Sequence, residues 1–268
     1  MREPVVHHGV RRRRERRRLR HRRALWTGAE LLVTAGLLGL LLVVHQLWWT
    51  NREAREDAER RVEALERQWG AGTGDDSGIT SGTTPETDPP EQVTGRPETP
   101  SSHATSGPQP PVARPAPSQA YAVLVIPRLH VRAPVAEGTS KRKVLDNGYV
   151  GHYAHTQQPG QQGNFALAGH RNTHGEPFRR LDRLKPRDTV VVETADATYT
   201  YAVDVVLAQT SPRDTGVIRP VPRSLTVPGY GYDDPGHYLT LTTCTPEYTS
   251  RYRLVVWGKL VEVRGRAA

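Results

Sequence analysis

Residues 31–50 run for twenty positions without one formally charged side chain, and no other stretch of the chain is comparably apolar. As a helix at about 1.5 Å per residue the segment measures about 30 Å, the thickness of a bilayer's hydrocarbon core. A soluble fold could hide such a helix only among other strongly apolar elements, and the sequence offers none. Trp48 and Trp49 stand at its far end, where amphipathic rings suit the lipid–water boundary. A cleaved signal peptide would have a shorter apolar run followed by a small-residue cleavage site. This run exits through His45-Gln-Leu-Trp-Trp-Thr-Asn-Arg52, which has no such site, so an uncleaved anchor is expected.

Charge supplies the orientation. The formal net charge of +9 raises the question of nucleic acid. Residues 1–23 carry eleven Arg against Glu3 and Glu15, a surplus equal to that of the whole chain, so the remainder is neutral. A domain that grips a phosphate backbone spreads basic side chains over its folded face. No nucleic-acid partner is therefore expected. An Arg-rich tail over residues 1–30 instead predicts a cytoplasmic N-terminus, a single transmembrane helix at 31–50 in contact with membrane lipid, and an extracellular remainder.

Beyond the anchor the composition changes twice. Residues 51–69 read as a juxtamembrane helix, with Arg52–Glu56, Glu56–Arg60 and Glu63–Arg67 spaced four apart. Val62, Leu65 and Trp69 form a thin apolar stripe that could meet a partner helix, although a solvated stalk is the simpler expectation. Residues 70–119 are dominated by Gly, Thr, Ser, Pro, Asp and Glu. Such a segment cannot bury enough surface to offset its ordering entropy, which predicts a disordered linker with a reach of about 40 Å. It would hold a domain away from the bilayer.

The folded unit is expected over residues 120–264, followed by a short tail at 265–268. Residues 121–126, 164–168, 189–194, 199–208, 238–243 and 253–263 are β-branched or aromatic runs separated by Gly, Pro, Asn and Asp. Residues 189–208 predict a hairpin turning at Ala195-Asp196-Ala197, and only residues 178–184 suggest a short helix. The pattern is all-β, a small barrel or sandwich.

Three chemically capable residues fall at the ends of these runs. Cys244, the chain's only cysteine, closes Tyr238-Leu-Thr-Leu-Thr-Thr-Cys-Thr-Pro246. A lone thiol forms no intramolecular disulfide and is a liability outside the cell unless it reacts. Arg253 opens the next run and would return beside Cys244 if the two strands are antiparallel. His170 ends Asn164-Phe-Ala-Leu-Ala-Gly-His, just after a glycine that permits close backbone approach. Together they suit acyl transfer. A free cysteine is mostly thiol at neutral pH, and a neighbouring cation favours the nucleophilic thiolate. A guanidinium can hold a developing oxyanion, and histidine can protonate a departing amine. Each also has a duller reading, as a small core residue, a surface cation and a turn residue.

The run Thr240-Leu-Thr-Thr-Cys-Thr-Pro246 followed by Arg253 resembles the signature of the sortases. Residues 148–178, centred on Pro-Gly-Gln-Gln-Gly-Asn-Phe-Ala-Leu-Ala-Gly-His-Arg-Asn-Thr-His-Gly-Glu-Pro-Phe, resemble their histidine region. The wording is most similar to class E, the housekeeping type of high-GC actinobacteria, and 33 Arg against 4 Lys agrees. The resemblance covers residues 121–263. It implies a closed eight-stranded β-barrel with short helices, and catalytic roles for Cys244, His170 and Arg253. The implied reaction is a transpeptidation. A C-terminal sorting signal of Leu-Ala-x-Thr-Gly or Leu-Pro-x-Thr-Gly type is cut between Thr and Gly through a thioacyl enzyme. An amine of a peptidoglycan precursor then resolves it, so secreted signal-bearing proteins and that precursor are the implied partners. The connection over residues 211–237 matches the family's loop that walls the signal groove, which makes Ile218, Pro220 and Val221 candidate groove residues. Thr242 and Thr243 are expected to line the same groove.

Neither a cofactor nor a metal requirement is expected. The carboxylate cluster that makes some class A sortases respond to calcium is not recognisable. His152, His155, His170 and His174 lie near one another in sequence, but a zinc-protease helix needs Glu inside His-x-x-x-His, and Arg171-Asn172-Thr173 fills that gap. Two other readings are a membrane-tethered binding domain without catalysis and a pilus-polymerising sortase. The latter often carries a lid segment and a second C-terminal membrane helix, and neither pattern is visible here, so cell-wall anchoring is the preferred expectation.

Overall fold

The computed structural model describes residues 8–71 and 114–266. Most of the expected linker, the first seven residues and the last two lie outside them. α1 (His8–Ala71) is one continuous 64-residue helix that takes in both the apolar span and the juxtamembrane residues 51–69. It is long and apolar enough to cross a membrane, and Leu31, Leu38, Leu42 and Val44 around it are exposed.

Eight strands follow: β1 (Ala120–Ile126), β2 (Val131–Glu137), β3 (Val150–His152), β4 (Gly163–Ala168), β5 (Thr189–Glu193), β6 (Ala197–Thr210), β7 (His237–Thr245) and β8 (Tyr252–Gly265). They close into a barrel in the order β1-β2-β3-β4-β7-β8-β6-β5. The β2–β3 and β4–β7 pairs are parallel and the others antiparallel. The expected hairpin is β5–β6, paired from Thr189–Ala202 to Glu193–Thr198. The expected short helix shrinks to a 3-10 turn at Leu181–Arg183. β2 and β3 were not anticipated: β2 carries Pro134 at its centre, a residue that argues against a strand in sequence, and β3 has three residues, too few for a pattern.

Alternation along the strands divides the apolar residues between two surfaces. Leu124, Phe165, Leu167, Leu239, Leu241, Leu254 and Val256 fill the barrel. On the outside, Leu207, Tyr238, Val255 and Trp257 form a second cluster with Val217 and Tyr232 of the β6–β7 connection.

A third cluster changes the reading of the juxtamembrane helix. Val62 and Leu65 are buried against Ala120, Val123, Ala136 and Val144, with Trp69 packed at the edge. Ala54 and Ala58 continue the buried face toward the apolar span. Glu66 pairs with Arg132, and an Arg61 Nη2 donates to the Ala120 carbonyl at 3.5 Å. The stripe expected to face solvent on a stalk therefore lies on the barrel, because the outward side of β1 and β2 is also apolar. Leu65→Ala should cost about 2 kcal/mol, at the lower end for a buried leucine, and lower Tm by roughly 4–8 °C. Thermal unfolding of the full chain in detergent checks this; an unchanged Tm would mean the helix is not part of the cooperative unit.

Candidate active site

β7 and β8 are joined by a short loop, and their antiparallel register sets Cys244 directly opposite Arg253. Opposed residues project from the same face of a sheet. On β7 that face also carries Tyr238, Thr240 and Thr242, and on β8 it carries Val255 and Trp257, so thiol and guanidinium stand on the outer side of the barrel. The thiol is half-buried. Arg253 Nη1 donates to the carbonyls of Ser250 (3.1 Å) and Tyr252 (3.0 Å). The rest of its guanidinium has no protein partner among the described residues, which leaves donors available beside the thiol.

His170 reaches this rim by a different route. β4 runs parallel to β7, with Ala168 beside Thr242. The pairing continues past the strand: the Gly169 amide donates to the Thr242 carbonyl at 3.2 Å, and Thr243 Oγ1 donates to the Gly169 carbonyl at 2.8 Å. One step further, His170 is level with Cys244. Gly169 is required for this path, since a Cβ there would stand 2.7 Å from the ring of fully buried Phe178. The Phe178 amide in turn donates to the His170 carbonyl at 3.1 Å. Arg171, almost fully buried, ties the two strand ends together. Its Nη1 donates to Thr245 Oγ1 (3.1 Å) and the Cys244 carbonyl (3.4 Å), while Nη2 pairs with Asp182 at 3.2 Å.

The imidazole has a partner that sequence reasoning did not find. His170 Nε2 lies 2.9 Å from Asp146 Oδ1, on the 3-10 turn Leu145–Asn147. His174 lies beside it, with ring centroids 5.4 Å apart and the rings tilted by 30°, and its Nδ1 lies 3.7 Å from the same Asp146 oxygen. Burial lowers the His174 imidazole below its ordinary value; Asp146 opposes that, and His170 and Lys141 add to it. No signal pointed to Asp146, which precedes the recognisable histidine region by two residues.

Both loops are braced by α1. Gly148, which ends the Asp146 turn, has φ +77°, and a Cβ there would lie 2.6 Å from the Ala54 carbonyl oxygen. Glu176, on the His170–His174 loop, is buried and accepts hydrogen bonds from Asn51 (2.8 Å), Arg55 (3.3 Å) and Arg179 (2.7 Å).

The β6–β7 connection forms the wall of the outer face. Its 3-10 turn Thr215–Ile218 presents the Val217 carbonyl to Trp257 Nε1 (3.1 Å) and Thr240 Oγ1 (3.2 Å). Asn164 joins the wall to β4 by donating to the Arg219 carbonyl at 3.0 Å. The Asp214 carboxylate accepts from Thr210, Ser224, Thr226 and the Leu225 amide. Burial pushes this carboxyl up, but those donors outweigh burial and hold it below its ordinary value. Its stabilising effect is thus present above the ordinary carboxylate range and lost as pH falls below it.

Of the expected groove residues, Ile218 and Val221 are half-buried against the outer cluster, and Pro220 is exposed. Thr242 shares the face of Cys244, with its hydroxyl donated to the Leu167 carbonyl (3.1 Å) and 3.0 Å from Tyr153 Oη. Thr243 points to the opposite side, since neighbouring strand residues alternate; through Gly169 it holds the histidine loop instead.

Of the four neighbouring histidines, His170 and His174 stay together and the other two lie apart from them. His152 is 1% exposed and partnered by Glu137 at 2.7 Å and Thr156 at 2.9 Å. His155 is exposed, away from any cluster of metal-ligating groups among the described residues.

Comparison with known proteins points one way. A family profile described as the sortase domain matches residues 124–261. Sortase SrtE1 of Streptomyces coelicolor is 42% identical over 243 residues, 89% of this chain and 57% of that protein, so the chain spans little more than half of that relative's length. Sortase SrtE2 of the same organism is 35% identical over 241 residues, 87% of this chain and 80% of that protein. The crystal structure of Sortase E1 from Streptomyces coelicolor with tripeptide in the active site superposes with a TM-score of 0.53 at 53% identity, covering 56% of this chain and 93% of that one.

Proposed function

Since this chain belongs to the sortase family of cysteine transpeptidases, we propose that it cuts a C-terminal sorting signal between Thr and Gly and joins the new Thr carboxyl to a peptidoglycan-precursor amine. The Cys244 thiolate attacks the Thr carbonyl carbon, and the oxygen that becomes negative accepts hydrogen bonds from the Arg253 guanidinium. Protonated His170 gives its proton to the departing Gly amine as the C–N bond breaks, leaving a thioacyl enzyme. The acceptor amine then attacks the thioester, His170 takes its proton, and the thiolate leaves. Asp146, 2.9 Å from Nε2, orients the imidazole.

The observation that carries this reading is the register of β4, β7 and β8, which brings His170, Cys244 and Arg253 to one level. The outer wall supports the substrate. Thr240, under the Val217 carbonyl, is four residues from Cys244 on β7. At about 3.3 Å per residue that is about 13 Å, the length of a four-residue extended peptide ending at the thiol. Thr242, Ile218, Pro220 and Val221 are the proposed contacts, with Thr243 acting through Gly169.

The apolar part of α1 supports a single-pass membrane location with the Arg-rich end in the cytoplasm and the barrel outside. On this reading the docked helix keeps the barrel near the bilayer surface, and the distance that a free linker would allow is not used.

The test incubates the full chain in detergent with Leu-Ala-x-Thr-Gly or Leu-Pro-x-Thr-Gly peptides and an amine, followed by mass spectrometry. A Thr-linked amide product and an adduct on Cys244 are expected; neither forming with either peptide would defeat the proposal. Asp146→Asn should lower kcat roughly ten- to hundred-fold, below the full contribution of a proton-transfer group, with KM and Tm nearly unchanged. Asp146→Glu should recover part of the loss. A fall in Tm without a kcat effect would make Asp146 merely structural.

A further inference from the structure

Asp146, His170 and His174 form a constellation that proton transfer does not require. His170 Nε2 and Asp146 Oδ1 are 2.9 Å apart, His174 Nδ1 and the same oxygen are 3.7 Å apart, and all three ligand atoms lie within 4.8 Å of one another. A tetrahedral zinc ion with bonds of about 2.0–2.1 Å sets its ligands about 3.3–3.4 Å apart, so shifts of about an ångström or less would close the set. The side chains are 19–27% exposed and free to make them. A second observation is independent of that spacing: His174 Nδ1 is buried and has no hydrogen-bond partner. A buried ring nitrogen without a partner calls for an explanation, and an ion is one. The loop that carries it is held in place by the contacts of Glu176 with Asn51 and Arg55.

We propose that Asp146, His170 and His174 bind a transition-metal ion of the zinc class, and that its binding blocks the acyl-transfer site. Two imidazoles and one carboxylate suit Zn2+, Co2+ and Ni2+, whereas Ca2+ and Mg2+ take oxygen ligands. Three protein ligands leave a fourth position open for water. The metal takes the Nε2 lone pair of His170 and draws Asp146 away from its orienting role, so a loaded enzyme has no base to receive the acceptor amine's proton. The blocking half rests on the reading of His170 given above; the binding half does not.

The experiment has two arms. In the first, the full chain carrying Cys244→Ala, which removes the thiolate as a competing ligand, is titrated with Co2+ by visible spectroscopy and with Zn2+ by calorimetry. One tight site per chain is expected, weakened at least tenfold by His174→Ala and showing no response to Ca2+; any background from other histidines persists in that variant. Equal affinity with and without His174 overturns the site. In the second arm, Zn2+ added to the thiol-intact chain should stop turnover, a chelator should restore it, and His174→Ala, measured against its own zinc-free rate, should tolerate at least tenfold more zinc. Equal zinc sensitivity in parent and variant would trace the block to the thiol and overturn the blocking half. Absence of turnover in the metal-free parent would count against the transpeptidase reading, with the first arm still deciding the site. His174→Gln, which keeps polar bulk, guards against misfolding of the alanine variant.

Discussion

Cys244→Ala should remove acyl transfer altogether, a loss on the order of 10⁴-fold or more, because no other residue can form the covalent intermediate. The chain has no second thiol to substitute for it. The fold should survive. Cys244 is half-buried near the end of β7, which is held by its pairing with β4 and β8, and deleting one sulfur there leaves at most a shallow surface dent. Product formation from the peptide assay, read with Tm, separates the outcomes. Lost turnover with Tm within a few degrees of the parent supports the nucleophile. Retained turnover would make the chain something other than a thiol-dependent transferase. A tethered binding domain that had lost catalysis would instead keep its cellular role in the alanine variant.

Arg253→Ala should lower kcat about 10²–10³-fold with little change in KM, the usual cost of deleting one oxyanion donor. The guanidinium stands opposite the thiol, is positioned through Nη1 by two carbonyls of its own loop, and cannot lose its proton. Arg253→Lys keeps the charge without the planar set of donors and should recover only part of the rate. The competing view is that Arg253 merely closes the β7–β8 loop. That view predicts a lower Tm and intact kcat, and measuring both quantities on the same variant decides between them.

How much of this was legible beforehand follows from which interactions are local. The run ending in Cys244 and the run opening at Arg253 are strong strands separated by a short loop, so their antiparallel return was inferable from spacing. The β5–β6 hairpin was legible for the same reason. His170 was placed at a strand end correctly, but its parallel pairing with β7 joins residues more than seventy positions apart, and no local pattern encodes such a pairing. Asp146 and Asp214 were invisible for a related reason. Each is an ordinary acidic loop residue in sequence, and becomes special only through the imidazole or the hydroxyls that the fold brings to it. Thr243 illustrates the opposite error. It was grouped with Thr242 by adjacency, yet strand alternation sends neighbours to opposite sides.

The helix is the largest difference. Its thin stripe of Val62 and Leu65 was read correctly as apolar, but a stripe does not say what covers it. The answer lies in Val123, Ala136 and Val144, whose outward face is apparent only once the barrel is closed.

By itself, then, the sequence determined the apolar span, the all-β character of the later residues, the single cysteine proposed here as nucleophile, and the family to which the chain belongs. These depend on composition, on periods of two, and on contiguous motifs. Tertiary structure alone decided that His170 stands level with Cys244, that Asp146 and His174 share its environment, and that the helix leaving the apolar span braces the loops that carry them. Those contacts join segments distant along the chain, and only the closed strand order brings such segments within bonding range.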